Sequence, residues 1–129
     1  MSTTVLQLVL STLVASAYLG VQSVLWRMDK GWAYSATSRD NERPSGILAA
    51  RGNKALRNFL ETYGIFIALA AATELSGRAD WLTEWGAWVW FAGRIGFLPL
   101  YVTGTFLLRS VMWQISMIGL GMMFLGVMF

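Results

Sequence analysis

Four stretches of this chain are too long and too apolar to be hidden inside a soluble domain of 129 residues. Residues 5–26 carry no charged side chain, 59–75 hold only Glu61 and Glu74, 85–108 hold only Arg94, and 111–129 hold none. Each approaches the ~20 residues that a helix needs to cross about 30 Å of hydrocarbon. In that medium every backbone N–H and C=O must be satisfied without water, which leaves helices and closed barrels. The runs are continuous and lack the alternation of apolar and polar residues that barrel strands show, so helices are expected.

The first run contains Ala15-Ser16-Ala17, a small-residue pattern like a signal-peptide cleavage site. No basic stretch precedes it and the run continues to Trp26, so a retained helix is the better reading. The expectation is one domain over 1–129, all-α, a transmembrane four-helix up-and-down bundle with helices over about 4–27, 46–75, 82–107 and 109–129. Pro44-Ser45-Gly46 closes the polar loop 28–46, with Ser45 as the expected N-cap of the second helix. Ser76-Gly77-Arg78-Ala79-Asp80 forms a short second connection, and Trp81, Trp85, Trp88 and Trp90 follow it as interfacial or bundle-packing aromatics.

Positive charge sets the orientation. Of the 10 Lys and Arg residues, Arg27, Lys30, Arg39, Arg43, Arg51, Lys54 and Arg57 cluster between 27 and 57. The first and third connections should therefore face the cytoplasm and both termini the other side of a membrane crossed several times; a bacterial inner membrane is the expected one. The net charge of +3 is in this light a topology signal. With no basic domain outside the bilayer, nucleic acid is not expected as a partner, and the lipid bilayer is.

The chain has no Cys and no His. It cannot supply a thiol nucleophile, an imidazole base or a typical zinc or haem site, so no metal is expected and any thiol chemistry must use a borrowed sulfur. The polar groups left in the spans suit the binding of an anion better than the shuttling of protons.

Arg51, Lys54, Arg57, Asn58 and Glu61 recur at intervals of one, three or four where the second helix begins. At about 100° per residue they fall within an arc of roughly 120°, a polar stripe descending into the membrane. Trp90, Arg94, Phe97 and Tyr101 form a second line on the third helix, with Arg94 near mid-span. Insertion of such an arginine costs about 2.5–3.5 kcal/mol, so it should face the bundle with a partner, and Glu61 at similar depth is the expected one. Gly93, Gly96 and Gly104 would let helices approach closely, and Pro99 should bend or loosen the third helix. Arg109, Trp113 and Ser116 share a face of the fourth. Taken alone, Arg109 reads as an anchor snorkelling to headgroups, and the Arg51 to Glu61 stripe as a basic helix end.

The pattern Arg51-x-x-Lys54-x-x-Arg57-Asn58-x-x-Glu61, then Gly93-Arg94 with Tyr101, then Leu108-Arg109-Ser110, resembles the membrane-associated proteins in eicosanoid and glutathione metabolism (MAPEG), in a small bacterial-type form. The resemblance covers all four expected helices and is strongest over 47–75. It implies a homotrimer with glutathione as cosubstrate, held between neighbouring subunits near the cytoplasmic face. Arg51, Lys54 and Arg57 would take its carboxylates, Asn58 a polar contact and Glu61 its amino group. Arg94 and Tyr101 would belong to the same site. Arg109, with Ser110 beside it, would face the sulfur as the catalytic pair. The implied activity is that of a glutathione transferase or peroxidase acting on a lipophilic small molecule through an arginine-stabilised thiolate.

The physics is coherent with that implication. Glutathione carries two carboxylates and one ammonium, which clustered cations and one carboxylate complement. A guanidinium beside the thiol favours thiolate. Three positions depart from the family pattern: Gly64 stands where proline is frequent, Phe97 where Tyr or His is, and Trp113 where tyrosine is. The missing hydroxyls remove hydrogen-bond donors near the expected thiol. A second class of function follows, a non-catalytic membrane subunit using the same fold for assembly in a larger complex. A small four-helix multidrug exporter fits by length, but the first helix lacks a central carboxylate and offers only groups such as Ser16, Tyr18 and Gln22.

Overall fold

Ser2 starts the first helix by accepting a hydrogen bond from the Val5 amide at 3.1 Å, satisfying one of the donors that every helix start leaves free. The computed structural model describes residues 1–40 and 43–129; residues 41–42 of the expected polar loop lie outside the described residues. Its helices are α1 (Thr3–Lys30), α2 (Trp32–Ser35), α3 (Ile47–Ser76), α4 (Trp81–Thr103) and α5 (Phe106–Met128). The short α2 falls in a loop for which no helix was expected.

The side chains are distributed as hydrocarbon solvent demands. On α1, Thr4, Gln7, Ser11 and Tyr18 are buried, while Leu6, Val9, Leu13 and Leu19 are exposed. In water that arrangement would be inverted; in lipid, leucine faces the solvent and polar groups find partners inside. Gln7 donates to the Glu84 carbonyl at 3.0 Å, Ser11 shares a hydrogen bond of 2.8 Å with the Tyr63 hydroxyl, and Tyr18 donates to the Arg94 carbonyl at 2.7 Å. These bonds tie α1 to α3 and α4.

Helices α1, α3 and α5 are each long and apolar enough to cross a membrane. The chain is thus a multi-pass, all-α membrane bundle. Helix α4, with 23 residues, is not among those spans. Four tryptophans, Glu84 and Arg94 leave it no 18-residue stretch as apolar as those of the other three, because an indole is an amphipathic group that favours interfaces. Trp81 and Trp85 are indeed exposed, whereas Trp90 is buried and stacks on Phe66 with ring centroids 4.0 Å apart. Around that pair the aromatic core runs through Tyr18, Phe59, Phe91 and Phe97.

Helices α4 and α5 meet backbone to backbone. A Cβ added at Gly93 would lie 2.6 Å from the Met112 carbonyl oxygen and the Ser116 amide nitrogen. At Gly119 it would lie 2.5 Å from the Gly86 carbonyl and the Trp90 nitrogen. Gly126 lies against the Thr83 side-chain methyl and Gly96 against the Met112 side chain, so small residues set the approach of this helix pair.

Three local expectations change. Gly46, not Ser45, is the N-cap of α3, and its N–H donates to the Asp29 carboxylate at 3.2 Å. Helix α4 ends at Thr103, short of the expected 107, because Gly104 adopts φ 83°, the left-handed conformation that terminates helices. Gly104 therefore serves a turn, and helix resumes at Phe106 before the expected 109. At its other end α4 is held by a capping box in which the Asp80 side chain accepts from the Thr83 amide and the Thr83 hydroxyl from the Asp80 amide, both at 3.0 Å.

Candidate functional site

The polar stripe on α3 is divided by its neighbours. On the helical wheel Arg51 and Asn58 occupy one edge of the arc and Arg57 and Glu61 the other, with Lys54 between them. The Arg51 and Asn58 edge turns toward α4 and α5. The opposite edge, with Asn53, Leu56 and Leu60, lines an open cleft of about 550 Å³. Lys54 is exposed and lines neither.

On the inner side a cavity of about 280 Å³ is lined by Asn58 from α3, Phe97 and Tyr101 from α4, and Arg109, Ser110 and Trp113 from α5. Three helices thus bring together four of the expected site residues, Asn58, Tyr101, Arg109 and Ser110, with Phe97 and Trp113 beside them. The Arg109 guanidinium lies 4.3 Å from the centre of the Tyr101 ring, a cation–π contact that fixes its position. Among the described residues no carboxylate pairs with it, and the cavity lining holds no acid. One uncompensated cation in a partly enclosed pocket gives the cavity a positive potential that attracts an anion rather than a cation. Ser110 donates its hydroxyl to the Phe106 carbonyl at 3.0 Å, so it must rotate before it can donate to a ligand.

Arg51 and Arg94 have structural partners. Arg51 donates to the Val102 carbonyl at 3.1 Å, at the end of α4 where carbonyls lack helical donors. Its guanidinium also fills the space beside Gly104, where a Cβ would come within 2.8 Å. Arg94 is fully buried. The expected Glu61 to Arg94 ion pair is not formed: Glu61 is exposed, and Arg94 donates instead to Asn58 Oδ1 at 2.8 Å and to Thr62 Oγ1 at 2.5 Å. The rotation of α3 explains the difference, since Asn58 and Thr62, four residues apart, face α4 while Glu61 is turned toward the open cleft. Thr62 was not singled out from the sequence; its spacing from Asn58 was the available signal. Among the described residues no group of three or more His, Cys, Asp or Glu is placed to hold a metal ion.

In comparison with known proteins, the family model described as MAPEG family matches residues 5–129. No curated protein and no solved structure matches the chain.

Proposed function

We propose that this chain, which belongs to the MAPEG family by a match over residues 5–129, is an integral membrane glutathione-binding protein, a glutathione transferase or peroxidase for lipophilic substrates. The observation that carries the reading is the acid-free cavity in which Arg109, Tyr101, Ser110 and Asn58 converge from three helices. In this reading the guanidinium of Arg109 faces the glutathione sulfur and stabilises the thiolate over the thiol. The thiolate then attacks an electrophile that reaches the cavity from the bilayer, forming a carbon–sulfur bond as the leaving group departs, or it attacks a peroxide oxygen, breaking the O–O bond and expelling an alkoxide that takes up a proton, and a second glutathione converts the sulfenic acid so formed to disulfide and water.

The divided stripe supports a homotrimer. Arg57 and Glu61 lie in a cleft on the far side of α3 from Arg109. One glutathione reaches both sets of residues if the open cleft of one protomer closes against the cavity of the next. Arg57 and Lys54 then serve the ligand's carboxylates and Glu61 its ammonium, at the boundary between subunits. Arg51 joins them only by giving up its bond to Val102. In this assembly α4 also crosses the bilayer, both termini lie on the non-cytoplasmic side, and the membrane is a bacterial inner membrane, the chain being a small bacterial-type member. The experiment is a conjugation assay with glutathione and a lipophilic aryl halide on detergent-solubilised protein, alongside the mass of the protein–detergent particle.

A second reading has one observation in its favour. Phe97 and Trp113 supply no hydroxyl to the cavity, and the Ser110 hydroxyl is engaged by backbone. Absence of glutathione binding together with co-purification in a larger complex would favour this second reading, a non-catalytic membrane subunit.

A further inference from the structure

A guanidinium can donate hydrogen bonds but never accept them. Arg94 Nη1 is 2.8 Å from the side-chain oxygen of Asn58, and Nη2 is 2.5 Å from the Thr62 hydroxyl. Only the oxygen of an amide can receive the first of these bonds, so the Asn58 NH2 group is turned away from Arg94. Asn58 also forms part of the wall of the cavity that holds Tyr101, Arg109 and Ser110. Arg94 does not: its side chain is fully buried and absent from that wall. It cannot touch a ligand there, yet it determines which end of Asn58 does.

The surroundings of Arg94 keep this arrangement rigid. Its guanidinium lies 5.9 Å from the Phe59 ring centre and 5.3 Å from that of Phe97, and its backbone carbonyl is held by the Tyr18 hydroxyl at 2.7 Å. Its Nε has no partner, and among the described residues no carboxylate neutralises its charge. An unneutralised cation bonded to an amide oxygen draws electron density through the amide and strengthens the N–H groups as donors.

We infer that Arg94 is a positioning residue for the anion site: it locks the Asn58 amide so that its N–H groups, polarised by the buried charge, are presented to the cavity beside Arg109. Asn58 is then the neutral donor that complements the arginine. This rests on the reading that the cavity receives an anionic group of glutathione.

The test is Asn58→Asp in the full chain, compared with Asn58→Leu and the parent, each solubilised in detergent. Aspartate keeps the shape of asparagine and gives Arg94 a carboxylate, but presents an acceptor oxygen where the donors were. The expected result is a split. Asn58→Asp should unfold at or above the parent's temperature yet bind glutathione about 10- to 100-fold more weakly. The thiolate absorbance of bound glutathione should also rise only at higher pH than in the parent. Asn58→Leu, which leaves the buried Arg94 guanidinium without its Asn58 partner, should lose both stability and binding. If the pair serves structure alone, binding will follow stability across the series. Parent-like affinity and an unshifted thiolate titration in Asn58→Asp would overturn the inference. Failure of the parent itself to bind glutathione would remove the proposed function and this inference together, whereas a binding parent with an unimpaired Asn58→Asp would remove only the inference.

Discussion

Gly93→Ala adds one methyl group at the closest approach of α4 and α5. The new Cβ would sit 2.6 Å from the Met112 carbonyl oxygen and the Ser116 amide nitrogen, and 2.9 Å from the Ser116 Cβ. Two of these neighbours are helix backbone, so no rotamer change relieves the clash. Ordinary contact begins at 3.4 Å, so the helices must part locally by the difference, about 0.8 Å, a gap that forfeits a quarter to a half of the dispersion energy of each contact it opens. Overpacking of this kind costs about 1–3 kcal/mol, and a backbone obstacle places the substitution toward the upper end. The damage should reach the cavity, because Phe97 and Tyr101 follow Gly93 on α4 while Arg109, Ser110 and Trp113 flank Met112 on α5. The assay is thermal unfolding in detergent followed by circular dichroism, with glutathione titration at a temperature where the variant is folded. Gly121→Ala is the control, since nothing lies within 4 Å of its added Cβ and alanine gains up to about 1 kcal/mol over glycine in a helix. Equal stability of the two variants would refute the claim that backbone contact between α4 and α5 organises the site.

Other substitutions test single links. Tyr18→Phe removes a buried hydrogen bond of 2.7 Å to the Arg94 carbonyl and should cost about 0.5–1.5 kcal/mol in the same unfolding assay; no change would mean that α1 does not brace Arg94. Asp80→Ala removes the side-chain half of the α4 capping box and should cost about 0.5–2 kcal/mol, with parent-like unfolding as the contrary outcome. Gly104→Ala places a Cβ at φ 83° and 2.8 Å from the Arg51 guanidinium; a loss of roughly 1 kcal/mol or more is expected, and a stability gain would count against the left-handed turn.

The apolar runs made the helices legible because a bilayer admits few other structures. The line Trp90, Arg94, Phe97, Tyr101 was legible for a related reason: helical period alone puts these residues on one face, and Trp90, Arg94 and Phe97 are buried together. What periodicity leaves open is the rotation of one helix against the next. It gathers Arg51, Asn58 and Glu61 into one arc but does not say where a neighbour divides that arc. Depth alone therefore matches Glu61 to Arg94, whereas the turn of α3 presents Asn58 and Thr62. The glycines show the same limit. Composition indicates that α4 and α5 are rich in them, but only the packed pair shows that Gly93, Gly119 and Gly126 meet backbone or side chain of the facing helix while Gly121 meets nothing. The end of α4 is not legible in the sequence because Gly104 sits within a continuous apolar run, and the left-handed turn is a backbone property.

The central claim is that the cavity around Arg109 holds glutathione. Isothermal titration of the solubilised protein with glutathione tests it most directly, with Arg109→Ala as the comparison. Arg109 lines the cavity and is only partly buried, and its guanidinium contacts the Tyr101 ring, so its removal should leave the unfolding temperature near that of the parent. The account predicts saturable heat in the parent and affinity weakened by about tenfold or more in Arg109→Ala, as for loss of a hydrogen bond to a charged group. Heat of dilution alone in the parent, or undiminished affinity in a folded Arg109→Ala, would contradict it.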